Sequence, residues 1–246
     1  MMMTESELRK IGQEVLTDGF CIIRDLLPLD VIDDCARAFQ PILEAHMDEI
    51  REKPNRGPNR HFIKLPFEPP FSNPVLYENE TILSIVDHLL GDDVAIASYA
   101  TDTPLEGSVH QEFHGDVAEL FPGTDLVTPP YLLAFNFSFI DVTEDNGPFE
   151  TARGSHRFAR QEGLRKVESG ELELEPLLLN RGDAMVRDPR QIHRGTPNNT
   201  ATPRPVAVIG YIRGWYRFDM LPRISRSERE KLSERGTELL RFAPQE

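Results

Sequence analysis

Gln111-Glu112-Phe113-His114-Gly115-Asp116, with Asp188-Pro189-Arg190-Gln191-Ile192-His193 far downstream, is the pair of segments around which the chain is organised. On an extended strand successive side chains alternate sides, so His114 and Asp116, two residues apart, point to one face. If His193 reaches the same point, two imidazoles and one carboxylate meet there. That donor set suits non-haem Fe(II) and leaves coordination positions open, where a cosubstrate and O2 would bind. The spacing alone is weak evidence. Seven histidines in 246 residues with 41 Asp and Glu give about one His-x-Asp or His-x-Glu by chance. A second match, His110-Gln111-Glu112, lies four residues upstream, and the residues by themselves leave the two pairs open.

The totals bound the rest. A chain of 246 residues without an evident linker is expected to be a single domain, 1–246, long enough to bury a core without disulfides or a structural metal. Lys and Arg number 27 against 41 acidic residues, a formal charge of -14, which argues against nucleic acid or an anionic membrane as partner and in favour of a small molecule. Cys21 and Cys35 lack the spacing of a metal clip and read as free buried thiols. The opening Met1–Lys10 lacks the order of a signal peptide, and no apolar run approaches membrane-spanning length. A reducing cytoplasm is the expected setting. Oligomeric state is not legible.

Along the chain, Thr4 with Glu7 reads as a capping box, and Ile11, Val15 and Leu16 recur at helical spacing, predicting a helix over 5–17. Phe20–Ile23 suits a buried strand, and Pro28 to about Ile50 a second helix with Pro28 in its first turn. Residues 53–78 contain Pro54, Pro58, Pro66, Pro69, Pro70 and Pro74, which predicts an ordered loop or lid. Arg51, Lys53, Arg56, Arg60, His61 and Lys64 make that region basic, either to meet an anionic substrate group or as a solvated loop. Asn79–Leu90 reads as a helix ending at Gly91. Strands are expected at about 94–101, 108–116, 131–141, 148–152, 172–179, 183–187 and 204–213, and one serine-capped helix at about 225–241. Helices first and strands afterwards predict a mainly β fold with flanking helices: a helical layer over about 1–92 and a jelly-roll core over about 93–216. His156 is expected to shape a turn, and His46 and His88 to pack on their helices. Trp215 and Tyr216 line either a pocket or a subunit contact.

The motifs also carry a family resemblance. Gln111 to Asp116, followed by Leu120-Phe121-Pro122, resembles the first metal motif of the phytanoyl-CoA dioxygenase (PhyH-like) branch of Fe(II)/2-oxoglutarate oxygenases. Asp141-Val142-Thr143-Glu144-Asp145-Asn146-Gly147-Pro148 and Gly154-Ser155-His156 are similar to its central turn. Gly182-Asp183, His193-Arg194-Gly195-Thr196-Pro197-Asn198 and Arg204-Pro205 are similar to its closing motif. The resemblance implies a double-stranded β-helix, the cupin-like jelly roll. It also selects between the two pairs: the family's aspartate lies shortly before a Leu-Phe-Pro segment, so His114, Asp116 and His193 are the implied iron ligands and His110 is a bystander. Arg204 opens an alternating run with Val206 and Val208 whose shared face would point inward, where an arginine is costly unless it meets an anion. The resemblance supplies one, the distal carboxylate of 2-oxoglutarate, which a guanidinium can hold through two parallel hydrogen bonds. Gln111 is a second implied cosubstrate contact. Phe149 stands where relatives often carry a threonine, with Thr151 two residues on as the compensating candidate.

The implied activity is oxidation, usually hydroxylation, of a small molecule by Fe(II), 2-oxoglutarate and O2 with release of succinate and CO2. The carboxylate of Asp116 argues against halogenation, for which relatives keep a small residue there. An acidic chain with one basic loop points to a metabolite or natural-product intermediate bearing a carboxylate. Two other readings stand beside this one: a cupin-like metalloenzyme that does not use 2-oxoglutarate, and a noncatalytic metabolite-binding relative.

Overall fold

The computed structural model describes residues 3–218 and 220–245. The Thr4 hydroxyl accepts from Glu7 N while the Glu7 carboxylate accepts from Thr4 N, and this reciprocal cap starts α1 (Glu5–Asp18). The helix stops at Gly19, whose φ of 92° lies in the left-handed region that a residue without Cβ enters freely. β1 (Phe20–Ile23) follows at once. Pro28 has extended backbone and serves as the N-cap of α2 (Leu29–Glu52), one position earlier than the first turn expected of it.

The proline-rich stretch is more regular than its composition predicts. Pro58 and Pro66 bracket a proline-free window, which forms β2 (Arg60–Lys64), and Pro74 opens α3 (Pro74–Tyr77) behind an Asn73 cap. Next, α4 (Glu80–Leu90) starts at Asn79 and ends at Gly91, completing the helical layer. The core follows as β3 (Val94–Pro104), β4 (Leu132–Ser138), β5 (Phe149–Ala152), an unexpected helix α5 (Arg160–Glu168), β6 (Leu174–Leu177), β7 (Ala184–Arg187), β8 (His193–Gly195) and β9 (Val206–Arg213). The predicted helix over 225–241 is two short ones, α6 (Arg226–Arg229) and α7 (Glu234–Leu239). Ser233 interrupts it by taking Gly236 N on its hydroxyl and capping a new helix.

All strand pairs are antiparallel: a six-stranded sheet in the order β1-β7-β4-β9-β3-β2 faces a three-stranded sheet β6-β5-β8. Neighbours in space are mostly not neighbours in sequence, which is jelly-roll connectivity. The strand expected at 108–116 is not one. His114 alone bridges to His193, and the segment lies beside β8 through Gln111 N to Gly195 O (3.0 Å), His114 N to His193 O (3.0 Å) and Asp116 N to Pro189 O (2.8 Å). The donors advance three and then two residues while the acceptors advance two and then four, so the two-residue ladder of an antiparallel pair is not kept.

Strand alternation sorts the six-stranded sheet into two buried faces. Leu133, Phe135 and Phe137 of β4, with Ile209 and Tyr211 of β9, join the cluster that holds Ile32, Cys35 and Phe39 of α2 and Ile82, Ile85 and Val86 of α4. Leu132, Ala134 and Asn136, with Val206, Val208 and Gly210, face into the barrel. Burial on both sides explains why all seven residues of β4 are buried. Cys21 and Cys35 are free and buried, and burial pushes both thiols up to about 12. Among the described residues, no helix is long and apolar enough to cross a membrane.

Phe139, just past β4, fastens the helical layer to the sheet. Its ring lies 5.6 Å from that of Phe39 in edge contact and 6.2 Å from that of Phe71. Replacing it by alanine removes a fully buried ring, so Phe139→Ala is expected to cost about 3–5 kcal/mol in urea unfolding. A loss below about 1 kcal/mol would show that the layers hold together without this contact.

Candidate metal centre and its pocket

The two histidines are aimed by their own backbones. His193 follows the turn Asp188–Gln191, closed by Gln191 N donating to Asp188 O, and its Nδ1 lies 2.8 Å from Gln191 O. His114 repeats the arrangement, with Nδ1 2.7 Å from Glu112 O. A carbonyl can only accept, so both Nδ1 atoms carry the proton and both Nε2 lone pairs are left facing the site. Asp116 Oδ1 stands 3.3 Å from His193 Nε2 and 3.9 Å from His114 Nε2. The three ligand atoms lie within 4.8 Å of one another. Desolvation by burial, with His193 beside it, lowers the His114 pKa, which favours the neutral imidazole that a metal needs. His110 is exposed and apart from this group.

The second oxygen of Asp116 is held by a residue that the sequence motifs do not single out. Arg187, the last residue of β7, donates from Nη2 to Asp116 Oδ2 at 2.5 Å and from Nε to Asn136 Oδ1 at 3.2 Å. Its guanidinium lies 4.9 Å over the Phe149 ring, which in turn packs 4.4 Å from the His193 ring. Burial alone would raise the Asp116 pKa, but Arg187 and His193 hold it well below the ordinary carboxylate range. The signal available in the sequence was a lone arginine in the apolar run Ala184-Met185-Val186-Arg187, sharing the inward face with Met185.

Arg204 lies inside the barrel as its alternation with Val206 and Val208 predicts, and all three line the pocket that holds the triad. It is 2 % exposed, donates to Gly147 O, and lies 3.6 Å from Asp102 Oδ2. A second guanidinium shares that carboxylate: Arg60 of β2, 1 % exposed, reaches Asp102 Oδ2 at 3.1 Å and Thr196 O at 2.5 Å. Burial, and the repulsion of Arg60, bring the Arg204 pKa down to about 10, still protonated at neutral pH. Gln111 lines the same pocket, but its amide is engaged, accepting from Gly195 N at 2.9 Å and donating to Arg56 O at 3.1 Å. Thr151 does not stand in for a threonine at 149. Its hydroxyl donates to Ile192 O at 3.3 Å and it is absent from the pocket wall.

The donor set fits a divalent iron with open positions. The pocket also fits an oxyanion, since Arg60 Nε, Arg187 Nη1 and Arg204 Nε are buried and find no partner among the described residues. Orphaned donors of this kind call for a ligand or water.

In solved structures the chain is similar to SnoK, a non-heme α-ketoglutarate-dependent carbocyclase from nogalamycin biosynthesis, with 18% identity and a TM-score of 0.66 over 83% of either chain. It is similar to EctD from S. alaskensis with bound Fe, at 18% identity and a TM-score of 0.64 over 85% of this chain and 76% of that one. HygX from Streptomyces hygroscopicus, solved with nickel, 2-oxoglutarate and hygromycin B, matches at 18% identity and a TM-score of 0.63 over 90% of this chain and 91% of that one. At such identities the likeness speaks for the jelly-roll fold. The phytanoyl-CoA dioxygenase (PhyH) family model matches residues 15–206, from the end of α1 to the start of β9. Because that match spans most of the chain and every residue of the triad, the chain belongs to the phytanoyl-CoA dioxygenase (PhyH) family of iron- and 2-oxoglutarate-dependent oxygenases.

Proposed function

We infer that His114, Asp116 and His193 hold Fe(II), that Arg204 binds the distal carboxylate of 2-oxoglutarate, and that the chain hydroxylates a small anionic molecule in the reducing interior of the cell. The observation that carries this reading is one pocket in which a two-histidine, one-carboxylate cluster and a buried arginine with an unpartnered Nε open on the same space. Iron with 2-oxoglutarate and O2 supplies the oxidation: the keto acid leaves as succinate and CO2, and one oxygen atom goes to the substrate. The chain's part is to place the substrate and keep water out. The inward walls from Leu132, Ala134, Leu177, Met185 and Val208 give the dry surroundings in which the charged groups act strongly.

The substrate class follows from charge. The described residues that line the pocket include Arg56, Arg60, Arg187 and Arg204 against Asp102 and Asp116, two positive charges in excess in a chain of formal charge -14. Fe(II) and the 2-oxoglutarate dianion cancel each other in this count. The excess remains for an anionic group on the substrate, with exposed Arg56 and its neighbour Phe62, 4.8 Å apart, at the rim.

His114→Ala and Asp116→Ala are each expected to abolish succinate release while leaving the circular-dichroism spectrum native; turnover at the wild-type rate in both would sink the ligand assignment. Arg204→Met removes a buried charged partner, a change worth about 2–5 kcal/mol, so 2-oxoglutarate should bind at least about 30-fold more weakly in an anaerobic titration of the Fe(II) protein. Unaltered binding would favour a metalloenzyme that does not use the keto acid. In a panel of paired carboxylic acids and methyl esters, the acids should stimulate succinate formation; stimulation by esters alone would overturn the anionic substrate.

A further inference from the structure

The two oxygens of Asp116 face different partners. Oδ1 is turned toward His114 Nε2 and His193 Nε2, while Oδ2 is taken by Arg187 Nη2 at 2.5 Å. Arg187 is itself held on two further sides, and one of the groups that hold it is anchored in turn. Its Nε donates to Asn136 Oδ1, the Asn136 amide donates to Ala207 O at 3.4 Å, and the guanidinium plane rests on Phe149. The strand register explains the reach: Arg187 pairs with Ala134, so Asn136 is its diagonal neighbour on the same inward face. A carboxylate clamped in this way presents Oδ1 to an ion and turns Oδ2 toward the guanidinium.

We propose that Arg187 is the positioning residue of the metal site: it withholds Oδ2, keeps Asp116 a one-oxygen ligand, and thereby preserves a coordination position that a two-oxygen carboxylate would occupy. The inference rests on the metal-site reading above. It accounts for a nearly fully buried arginine, 6 % exposed, next to a site that has to accept a cation. A positive charge beside a cation site is unfavourable in Coulomb terms. The geometry shows what offsets it: the arginine neutralises the far oxygen of the carboxylate and leaves the near one directed at the imidazoles. Groups that orient ligands from behind typically change metal affinity by about 10–100-fold.

The test uses the full chain, stripped of metal and titrated with Co(II), whose visible absorption reports coordination number and geometry without turnover. Arg187→Gln should bind Co(II) about 10–100-fold more weakly than wild type, with a changed visible spectrum. 2-Oxoglutarate should perturb the spectrum of the Co(II)-loaded variant less than that of wild type, because Oδ2 now competes for the position. Arg187→Lys, which keeps a cation near Oδ2, should recover part of the affinity. Thermal unfolding separates the alternatives: a purely structural arginine would lower the Tm of Arg187→Gln while leaving the Co(II) affinity and spectrum of the folded fraction as in wild type, and that result overturns the proposal. Wild-type protein that takes up no Co(II) would refute the triad reading itself.

Discussion

Guanidinium groups that have left water are the constraint on which the barrel interior depends. Arg60, Arg187 and Arg204 are each almost completely buried, and a charge in that position is tolerated only when paired and hydrogen-bonded. Two carboxylates meet the demand. Asp102 serves Arg60 and Arg204 from β3, and Asp116 serves Arg187 from the segment beside β8. The pairing is incomplete by design of the chemistry: two arginines share one aspartate, and three guanidinium nitrogens keep no partner among the described residues. A pocket in that electrostatic state is stable enough to fold and still attracts an anion. The same arrangement explains how an acidic chain presents a basic interior.

Much of the fold is legible in local sequence because local physics sets it. The Thr4–Glu7 cap, the stop at Gly19 and the Asn79–Gly91 frame of α4 are one-turn devices whose residues announce them. What failed to read correctly depends on partners distant in sequence. β2 pairs with β3 some forty residues away, so nothing inside Arg60–Lys64 marks it as a strand, and its flanking prolines argue for a loop. The segment 108–116 has strand-like composition, yet the strand it lies beside is β8, three residues long. So short an edge gives it a bridge at His114 and no ladder. The helix α5 has Gly163 and Val167 as its buried residues, too little for a periodic signal.

The site divides in the same way. The triad was readable from motifs that resemble those of a family, since the spacing alone left two pairs open, and the structure adds that each histidine is aimed by a backbone carbonyl two residues upstream. Arg204 was readable from alternation along one strand. Arg187 was not, and Arg60 was only one cation of a basic stretch, because their meaning lies across strands. Each is opposed diagonally by the polar partner that makes it tolerable, Asp102 on β3 for the first and Asn136 on β4 for the second. An arginine on an inward strand face is therefore the feature to ask about, even when no motif includes it.

Gly195 shows how the buried charges write themselves back into the motif. It stands two residues after His193 with no left-handed backbone to explain it, so its need for glycine is one of space. A Cβ there would fall 1.6 Å from Arg60 Nη1 and 2.3 Å from Cζ, which leaves no room for any side chain while Arg60 stays paired with Asp102. Gly195 N also donates to Gln111 Oε1, and its carbonyl accepts from Gln111 N. The bare backbone at 195 thus admits the guanidinium and registers the segment that carries His114 and Asp116 against the strand that carries His193. The glycine after the second histidine and the arginine of a distant edge strand are one feature, and the spacing of the two-histidine, one-carboxylate cluster rests on both.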